Sequence, residues 1–123
     1  MPIIGLDHVQ VAAPVRGESD ARRFYRDLLG LPELEKPSAL RRRGGVWFAC
    51  GGQQLHVGVT DDFSPATKAH PAILVDHFDL DLIAARLTAA GITVQWDGAI
   101  PRTRRFYAAD SWGNRIELLA AAD

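Results

Sequence analysis

The sequence lacks several features that would assign a protein to a broad class at once. It has a single cysteine, Cys50, which excludes an internal disulfide. No apolar run reaches the roughly 18 residues that suggest a membrane-spanning helix. Its 14 basic and 15 acidic residues leave a formal net charge of −1, which provides no broad positive field for nucleic acid or an anionic membrane. The first residues show no signal-peptide pattern, so we expect a cytoplasmic protein.

The length and composition are those of one folded domain. The chain has 123 residues, of which 47% are hydrophobic and 24% are charged, so it can bury a core of ordinary size. These values disfavour disorder, coiled coil and collagen-like structure. We therefore expect a single domain over residues 1–123.

The first half of the chain predicts a strand, a helix and three more strands. Residues 3–13 are rich in β-branched residues and end at Pro14, which favours a strand. A helix follows, with Ser19 or Asp20 as N-cap and Gly30 as its stop. Its apolar residues recur at helical spacing: Ala21, Phe24, Tyr25, Leu28 and Leu29. The segment "LPELEKPSALRRRGG", broken by two prolines and a glycine pair, predicts a short irregular strand and a loop. "VWFAC" and "QQLHVGV" then flank two glycines, which predicts a hairpin.

The second half repeats this order after a polar linker, residues 60–69. "HPAILVD" predicts a strand, "DLDLIAARLTAAG" a helix and "ITVQW" a strand, and "RRFYAAD" and "NRIELLA" flank a turn. His56 follows His8 by 48 positions, and Glu117 follows His70 by 47. The chain therefore predicts two βαβββ modules, about 1–62 and 69–123.

Matched positions in the two modules carry potential metal ligands. Because side chains alternate along a strand, the polar face of each half-sheet carries one set: His8 and His56 in the first, His70 and Glu117 in the second. A single strand histidine is more often a hydrogen-bonded structural residue than a ligand. Four such residues at equivalent positions of a repeat instead favour a metal site.

Other residues are candidates for binding substrate. Gln10 and Gln54 lie on the ligand face and would orient water or substrate, or else satisfy each other. Trp47 would line an aromatic substrate wall or pack in the core, and Trp112 would cap the cleft or cover its turn. The basic groups Arg41–Arg43 and Arg102–Arg105 would be solvated loops or bind an anionic substrate, with Arg105 among the candidates.

The chain resembles the vicinal oxygen chelate superfamily, which includes glyoxalase I, extradiol dioxygenases, fosfomycin-resistance thiol transferases and bleomycin-resistance proteins. The resemblance rests on "LDHVQVA", "RRFYRDLLGLPE", "AHPAILVD" and "AADSWGNRIELL". The last is similar to the family's closing pattern Asp-Pro-x-Gly-Asn-x-(Ile/Leu)-Glu-(Leu/Phe), with Ser111 and Trp112 as departures.

The resemblance implies an α+β fold in which two βαβββ modules form an open, eight-stranded, barrel-like mixed sheet around a cleft. It also implies one divalent metal ion, Fe, Mn, Ni or Zn, held by His8, His70 and Glu117. His56 falls where glyoxalase-like members carry glutamate, which disfavours glyoxalase activity. His56, if it is not a fourth ligand, and Tyr107 are the candidate catalytic acid–base residues.

Two classes of function remain open at this point. One is a metal-dependent glyoxalase- or dioxygenase-like enzyme whose small-molecule substrate chelates the metal through adjacent oxygens. The other is a metal-free binding protein like the bleomycin-resistance members. A homodimer is expected in either case because pairing would protect exposed sheet edges. The sequence leaves open whether the metal site lies within one chain or across a dimer interface.

Overall fold

The chain forms two compact units, Met1–Ser64 (unit 1) and Pro65–Asp123 (unit 2), each built from a four-stranded mixed sheet and a helix. The structure is a computed structural model and describes residues 2–122. It confirms the expected α+β class and the paired-module fold, but the strands form two sheets of four, and no closed barrel is seen among these residues.

The sheet of unit 1 has the strand order β1-β4-β3-β2. Its strands are β1 (His8–Pro14), β2 (Glu33–Leu34), β3 (Val46–Cys50) and β4 (Gln53–Thr60). The first strand runs parallel to β4, and the other neighbours are antiparallel. Helix α1 (Glu18–Ala21) continues as a π-helix, Arg22–Leu28, and a 3-10 helix, Ser38–Arg43, precedes β3.

Two boundaries in unit 1 differ from the sequence prediction. The first strand begins at His8 rather than at residue 3, because its pairing with β4 starts there and Ile3 and Ile4 are exposed. The predicted N-cap is also wrong: the helix begins at Glu18 with Gly17 as N-cap, so Ser19 lies inside the first turn. The predicted stop at Gly30 is confirmed, since its φ of 85° does not suit a residue with a β-carbon.

The core of unit 1 lies between the helix and one face of the sheet. The predicted apolar helix stripe is buried at Phe24 and Tyr25, and alternate residues of β4 point toward it. The buried side chains are Val11, Ala13, Ala21, Phe24, Tyr25, Leu29, Val46, Phe48, Leu55 and Val57. Since this face of the sheet is buried in the core, the polar residues of β1 and β4 lie on the opposite face.

Unit 2 repeats the arrangement with the strand order β5-β8-β7-β6. Its strands are β5 (Ala72–Val75), β6 (Gln95–Asp97), β7 (Arg105–Ala109) and β8 (Arg115–Ala120), and its helix is α2 (Leu80–Ala89). The parallel pair is β5 with β8. The buried side chains are Ile73, Val75, Leu80, Ala84, Leu87, Phe106, Ala108, Ile116 and Leu118.

Strand register places His56 and Glu117 at equivalent points of the two sheets. His56 is paired with Gln10 on β1 and with Trp47 on β3. Glu117 is likewise paired with Ala72 on β5 and with Tyr107 on β7. Each ligand candidate on a last strand therefore sits opposite an aromatic residue of the neighbouring antiparallel strand. Over residues 2–122, no helix has the length and apolar character needed to cross a bilayer.

Candidate functional site

Three aromatic rings stack in a row across the polar face of unit 1. The His56 ring lies between Trp47, at a centroid distance of 4.0 Å and an angle of 3°, and His8, at 4.1 Å and 17°. His56 is only 5% exposed, so its position in the row is fixed by contact on both faces. The row forms part of the wall of a cavity of about 650 Å³.

The environment of His56 favours its neutral form. Burial is the main cause that lowers the pKa of the ring, and the charge of His8 lowers it further. Asp7 acts in the opposite direction, and Lys36 adds the smallest lowering. The Nε2 atom lies 2.8 Å from Gln54 Oε1, so Nε2–H donates to this amide oxygen. Nδ1 is then the basic atom of the neutral ring.

His8 has a carboxylate partner that orients its ring. Its Nδ1 lies 2.8 Å from Asp7 Oδ1, which leaves Nε2 as the second ring nitrogen. A carboxylate on one nitrogen of an imidazole is the usual arrangement for a histidine that binds metal through the other. His8 and His56 are nearly parallel, so the lone pairs in their ring planes do not converge on a common point as those of two ligands on one ion would.

Gln10 lies over Gly58 in the same cavity. A β-carbon at Gly58 would come within 2.9 Å of the Gln10 side-chain carbonyl carbon and of Nε2. The missing side chain at residue 58 therefore makes room for the amide of Gln10. Gln54, the other predicted amide, is engaged by His56.

His70 and Glu117 meet directly in unit 2, as their spacing predicted for residues of one site. His70 Nε2 lies 2.9 Å from Glu117 Oε1, and His70 Nδ1 lies 2.9 Å from the carbonyl oxygen of Lys68. Proline at residue 71 and the start of β5 at Ala72 place His70 just before the strand that pairs with β8. Glu117 is 6% exposed, which makes it one of the few buried acids.

The geometry of this pair fits a bound cation. If the one proton of a neutral His70 ring is donated to Lys68, the Nε2 lone pair faces a carboxylate oxygen, and a positive charge must lie between them. That charge is either a proton on Nε2 or a metal ion. The observed 2.9 Å is an ordinary hydrogen-bond distance.

Arg105 contacts two carboxylates rather than an open cavity. Its Nη1 lies 3.3 Å from Glu117 Oε2, and its Nη2 lies 3.4 Å from Asp97 Oδ1. Burial lowers the pKa of Arg105, but its bond to Glu117 and the charge of Asp97 outweigh this effect and raise it overall. The Nε atom is buried with no hydrogen-bond partner among the described residues. The predicted substrate-binding arginine is thus a charge partner of Glu117 in this structure.

Tyr107 joins the His70 site to a second cavity. Its ring is edge-on to His70 at 5.6 Å, and the Arg115 guanidinium lies 4.6 Å from its centroid. Tyr107 and Arg115 both line a cavity of about 450 Å³, together with Gln95. Trp112 lies in the turn before β8, where its backbone N–H donates to Asp110 Oδ1 at 3.1 Å.

Residues 2–122 contain no group of three or more His, Cys, Asp or Glu side chains placed to hold a metal ion. Each unit instead holds two of the four predicted ligands: His8 and His56 in unit 1, and His70 and Glu117 in unit 2. Sequence reasoning missed Asp7, Lys36, Asp97 and Arg115. Asp7 adjoins the predicted His8, and this adjacency was the available signal.

Comparison with known proteins gives one family. The model of the Glyoxalase/Bleomycin resistance protein/Dioxygenase superfamily matches residues 5–118. A glyoxalase family protein from Bacillus anthracis is 48% identical, with a TM-score of 0.91 and coverage of 98% of this chain and 97% of the other. No curated protein matches in sequence.

Two more distant solved structures share the fold. Lactoylglutathione lyase from Agrobacterium tumefaciens is 20% identical, with a TM-score of 0.77 and coverage of 98% and 96%. A mutant of the fosfomycin resistance protein FosX from Listeria monocytogenes, solved with Mn(II) and 1S,2S-dihydroxypropylphosphonic acid, is 19% identical. Its TM-score is 0.78, and the coverage is 98% of this chain and 94% of that one.

Proposed function

Because the chain belongs to the Glyoxalase/Bleomycin resistance protein/Dioxygenase superfamily, we propose that it is a small metal-dependent enzyme of the glyoxalase and dioxygenase type. Its substrate is a small molecule that chelates one divalent ion, Fe, Mn, Ni or Zn, through adjacent oxygens. The observation that carries this proposal is that two of the predicted ligands meet directly, with His70 Nε2 2.9 Å from Glu117 Oε1.

In this proposal His8, His70 and Glu117 hold the metal. Two imidazoles and a carboxylate suit a first-row divalent ion and leave coordination positions for substrate. The bound ion would supply Lewis-acid stabilisation of negative charge on the substrate oxygens. Asp7 orients His8 through Nδ1, and the Lys68 carbonyl orients His70 in the same way.

We assign proton handling to His56 and Tyr107. His56 is kept neutral by burial, with Nε2–H held by Gln54, so Nδ1 accepts a proton. The Tyr107 hydroxyl is the second candidate, since its ring lies next to His70 and lines a cavity. Because the near-parallel stack of His56 on His8 does not direct both rings to one ion, we favour His56 as an acid–base group over a fourth ligand. Gln10, Gln54, Trp47 and Trp112 remain the predicted substrate contacts.

A metal-free binding protein is the second candidate function, and one observation favours it. Glu117 has partners without a metal: Oε1 faces a His70 ring that could carry a second proton, and Oε2 accepts from Arg105. The His8–His56–Trp47 row would then offer ring edges to an aromatic ligand in the cavity.

Elemental analysis separates the two candidates. Protein purified without a metal-binding tag is compared with His70→Ala and with the control His77→Ala, which changes a histidine outside both sites. The enzyme proposal expects wild type and His77→Ala to hold an equimolar amount of one metal and His70→Ala to lose it, with circular dichroism unchanged. Wild type that binds none of the four ions after incubation would instead establish the metal-free alternative.

We further propose a cytoplasmic homodimer. The strands β1 and β5 are edge strands of their sheets, and edge strands expose unpaired backbone groups that pairing with another chain would satisfy. Sedimentation equilibrium over a range of concentrations tests the dimer, and a monomer at all of them would refute it.

A further inference from the structure

The cavity of unit 1 carries more positive than negative charge on its wall. Lys36 and Arg43 are its cationic residues. The one acidic residue of the lining, Asp7, is already 2.8 Å from His8. Two cations therefore face about 650 Å³ of space without an equal number of free carboxylates.

Arg43 has no charge partner among the described residues, whereas Arg41 of the same 3-10 helix does. Arg41 forms an ion pair with Glu35 and donates to the carbonyl oxygen of Lys36 at 3.3 Å. Arg43 has no hydrogen bond or ion pair with any residue in the range 2–122 that the structure describes. Arg43 is exposed on the cavity wall, and an unpaired arginine fork is suited to bidentate binding of an oxyanion.

Lys36 is held in place by the backbone rather than by a carboxylate. Its Nζ donates to the carbonyl oxygen of Gly44, which leaves two of its three N–H groups for other acceptors. Glu18 Oε2 accepts from the N–H of Gly45 at 2.9 Å, which lowers the pKa of Glu18, and the charge of Lys36 also contributes to this lowering. Lys36 lines the same cavity as His56.

The two glycines that follow Arg43 bring the backbone close to the sheet. Gly44 and Gly45 have φ values of 73° and 88°, and a β-carbon on Gly45 would lie 2.2 Å from the carbonyl oxygen of Val57. The backbone therefore passes close to β4, the strand that carries His56. This approach keeps the backbone of Arg43 at the cavity, while its exposed side chain is free to turn toward a ligand.

We propose that the cavity of unit 1 binds an anionic group, a carboxylate, phosphonate or phosphate, between Lys36 and Arg43. It follows that the substrate of the proposed function is an anion, a step that rests on that function. The Gln10 amide, seated over Gly58 and without a hydrogen-bond partner in the described chain, is placed on the same wall to donate to the ligand. Anion binding itself does not require the metal.

Calorimetric titration of metal-free, full-length protein with acetate, methylphosphonate and inorganic phosphate tests the proposal. The neutral control is dimethyl methylphosphonate, which has a similar shape and no charge. The variants are Arg43→Gln and Lys36→Gln, and the matched control is Arg42→Gln, an exposed arginine of the same 3-10 helix that does not line the cavity. Comparison of the three anions identifies which group the site prefers.

We expect at least one anion to bind and the neutral ester not to bind. Loss of one charge-assisted contact in Arg43→Gln or Lys36→Gln should weaken binding about ten- to a hundredfold, and Arg42→Gln should change it by less than about threefold. Equal effects of Arg42→Gln and Arg43→Gln, equal binding of the neutral ester, or no anion binding at millimolar concentration would each overturn the proposal.

The same titration in His70→Ala separates this proposal from the metal-dependent function. Anion binding retained in this variant, together with loss of metal, supports both. Anion binding by a wild-type protein that takes up none of the four ions on incubation supports the anion site and refutes the metal-dependent enzyme. Metal content unchanged in Arg43→Gln shows that its loss of anion binding does not arise through the metal.

Discussion

Replacement of Asn114 by alanine tests how the turn before β8 supports the site. Asn114 is 1% exposed, and its Oδ1 accepts from the N–H of Ala66 at 2.9 Å. Its Nδ2 donates to Asp110 Oδ2 at 2.8 Å, and Asp110 also accepts from the Asn114 backbone N–H at 2.9 Å. The side chain thus ties the segment before His70 to the strand that carries Glu117.

The expected loss of stability follows from the two bonds. Asp110 is 6% exposed, so removing its amide partner leaves a buried carboxylate oxygen short of a donor, at a cost of about 1–3 kcal/mol. Ala66 is exposed and water can replace the lost acceptor, which limits that contribution to about 0.5–1 kcal/mol. The free energy of unfolding of Asn114→Ala should therefore fall by about 1.5–4 kcal/mol.

Urea unfolding followed by circular dichroism measures this change. The experiment is done with chelator present, because a ligand that binds only the folded state adds its own stabilisation. Ser111→Ala, in the same turn but exposed, is the control and should change stability by less than about 0.5 kcal/mol. A loss below about 1 kcal/mol in Asn114→Ala, with an unchanged urea slope, would refute the reasoning about the buried carboxylate.

Three further predictions use other parts of the chain. If His56 alone diverts the site from isomerase chemistry, His56→Glu should gain glyoxalase-type activity in a lactoylglutathione-forming assay; no gain would place the divergence in the substrate cavity. The bond from Gly45 N–H lowers the pKa of Glu18 below its ordinary 4.5, so its stabilisation is present above pH 4.5 and lost as pH falls through the lowered value. Acid unfolding of Glu18→Gln should lack this component, and a curve parallel to wild type would contradict it. Gly45→Ala should lose about 2–5 kcal/mol in urea unfolding, because φ is 88° and the new β-carbon would lie 2.2 Å from Val57 O; a loss under about 1 kcal/mol would show that the loop adjusts.

Much of the fold could be predicted because its signals are local. Helix α2 was expected from its apolar spacing, and its stop at Gly91 has a φ of 82° in the structure. The hairpin of β3 and β4 followed from the glycines between two strand-like segments. The start of β1 was not predictable in this way, since where a strand begins depends on where its partner strand begins, far along the chain.

The candidate site was predictable in part. Alternation along strands placed His8 and His56 on one face, and the repeat singled out His70 and Glu117 as a matching pair; the structure brings each pair together. The stack of Trp47 on His56 was not expected, because it depends on register between strands rather than on either strand alone.

The sequence by itself determined the duplicated order of strands and helices, the polar face of each sheet and the residue types available for chemistry. These depend on alternation, helical spacing and glycine positions, all of which are properties of short segments. Only the tertiary structure decided that Arg105 pairs with Glu117 and Asp97, and that Lys36 and Arg43 face a cavity. Which partner a charged side chain meets is set by contacts between residues distant in sequence, and no local pattern records them.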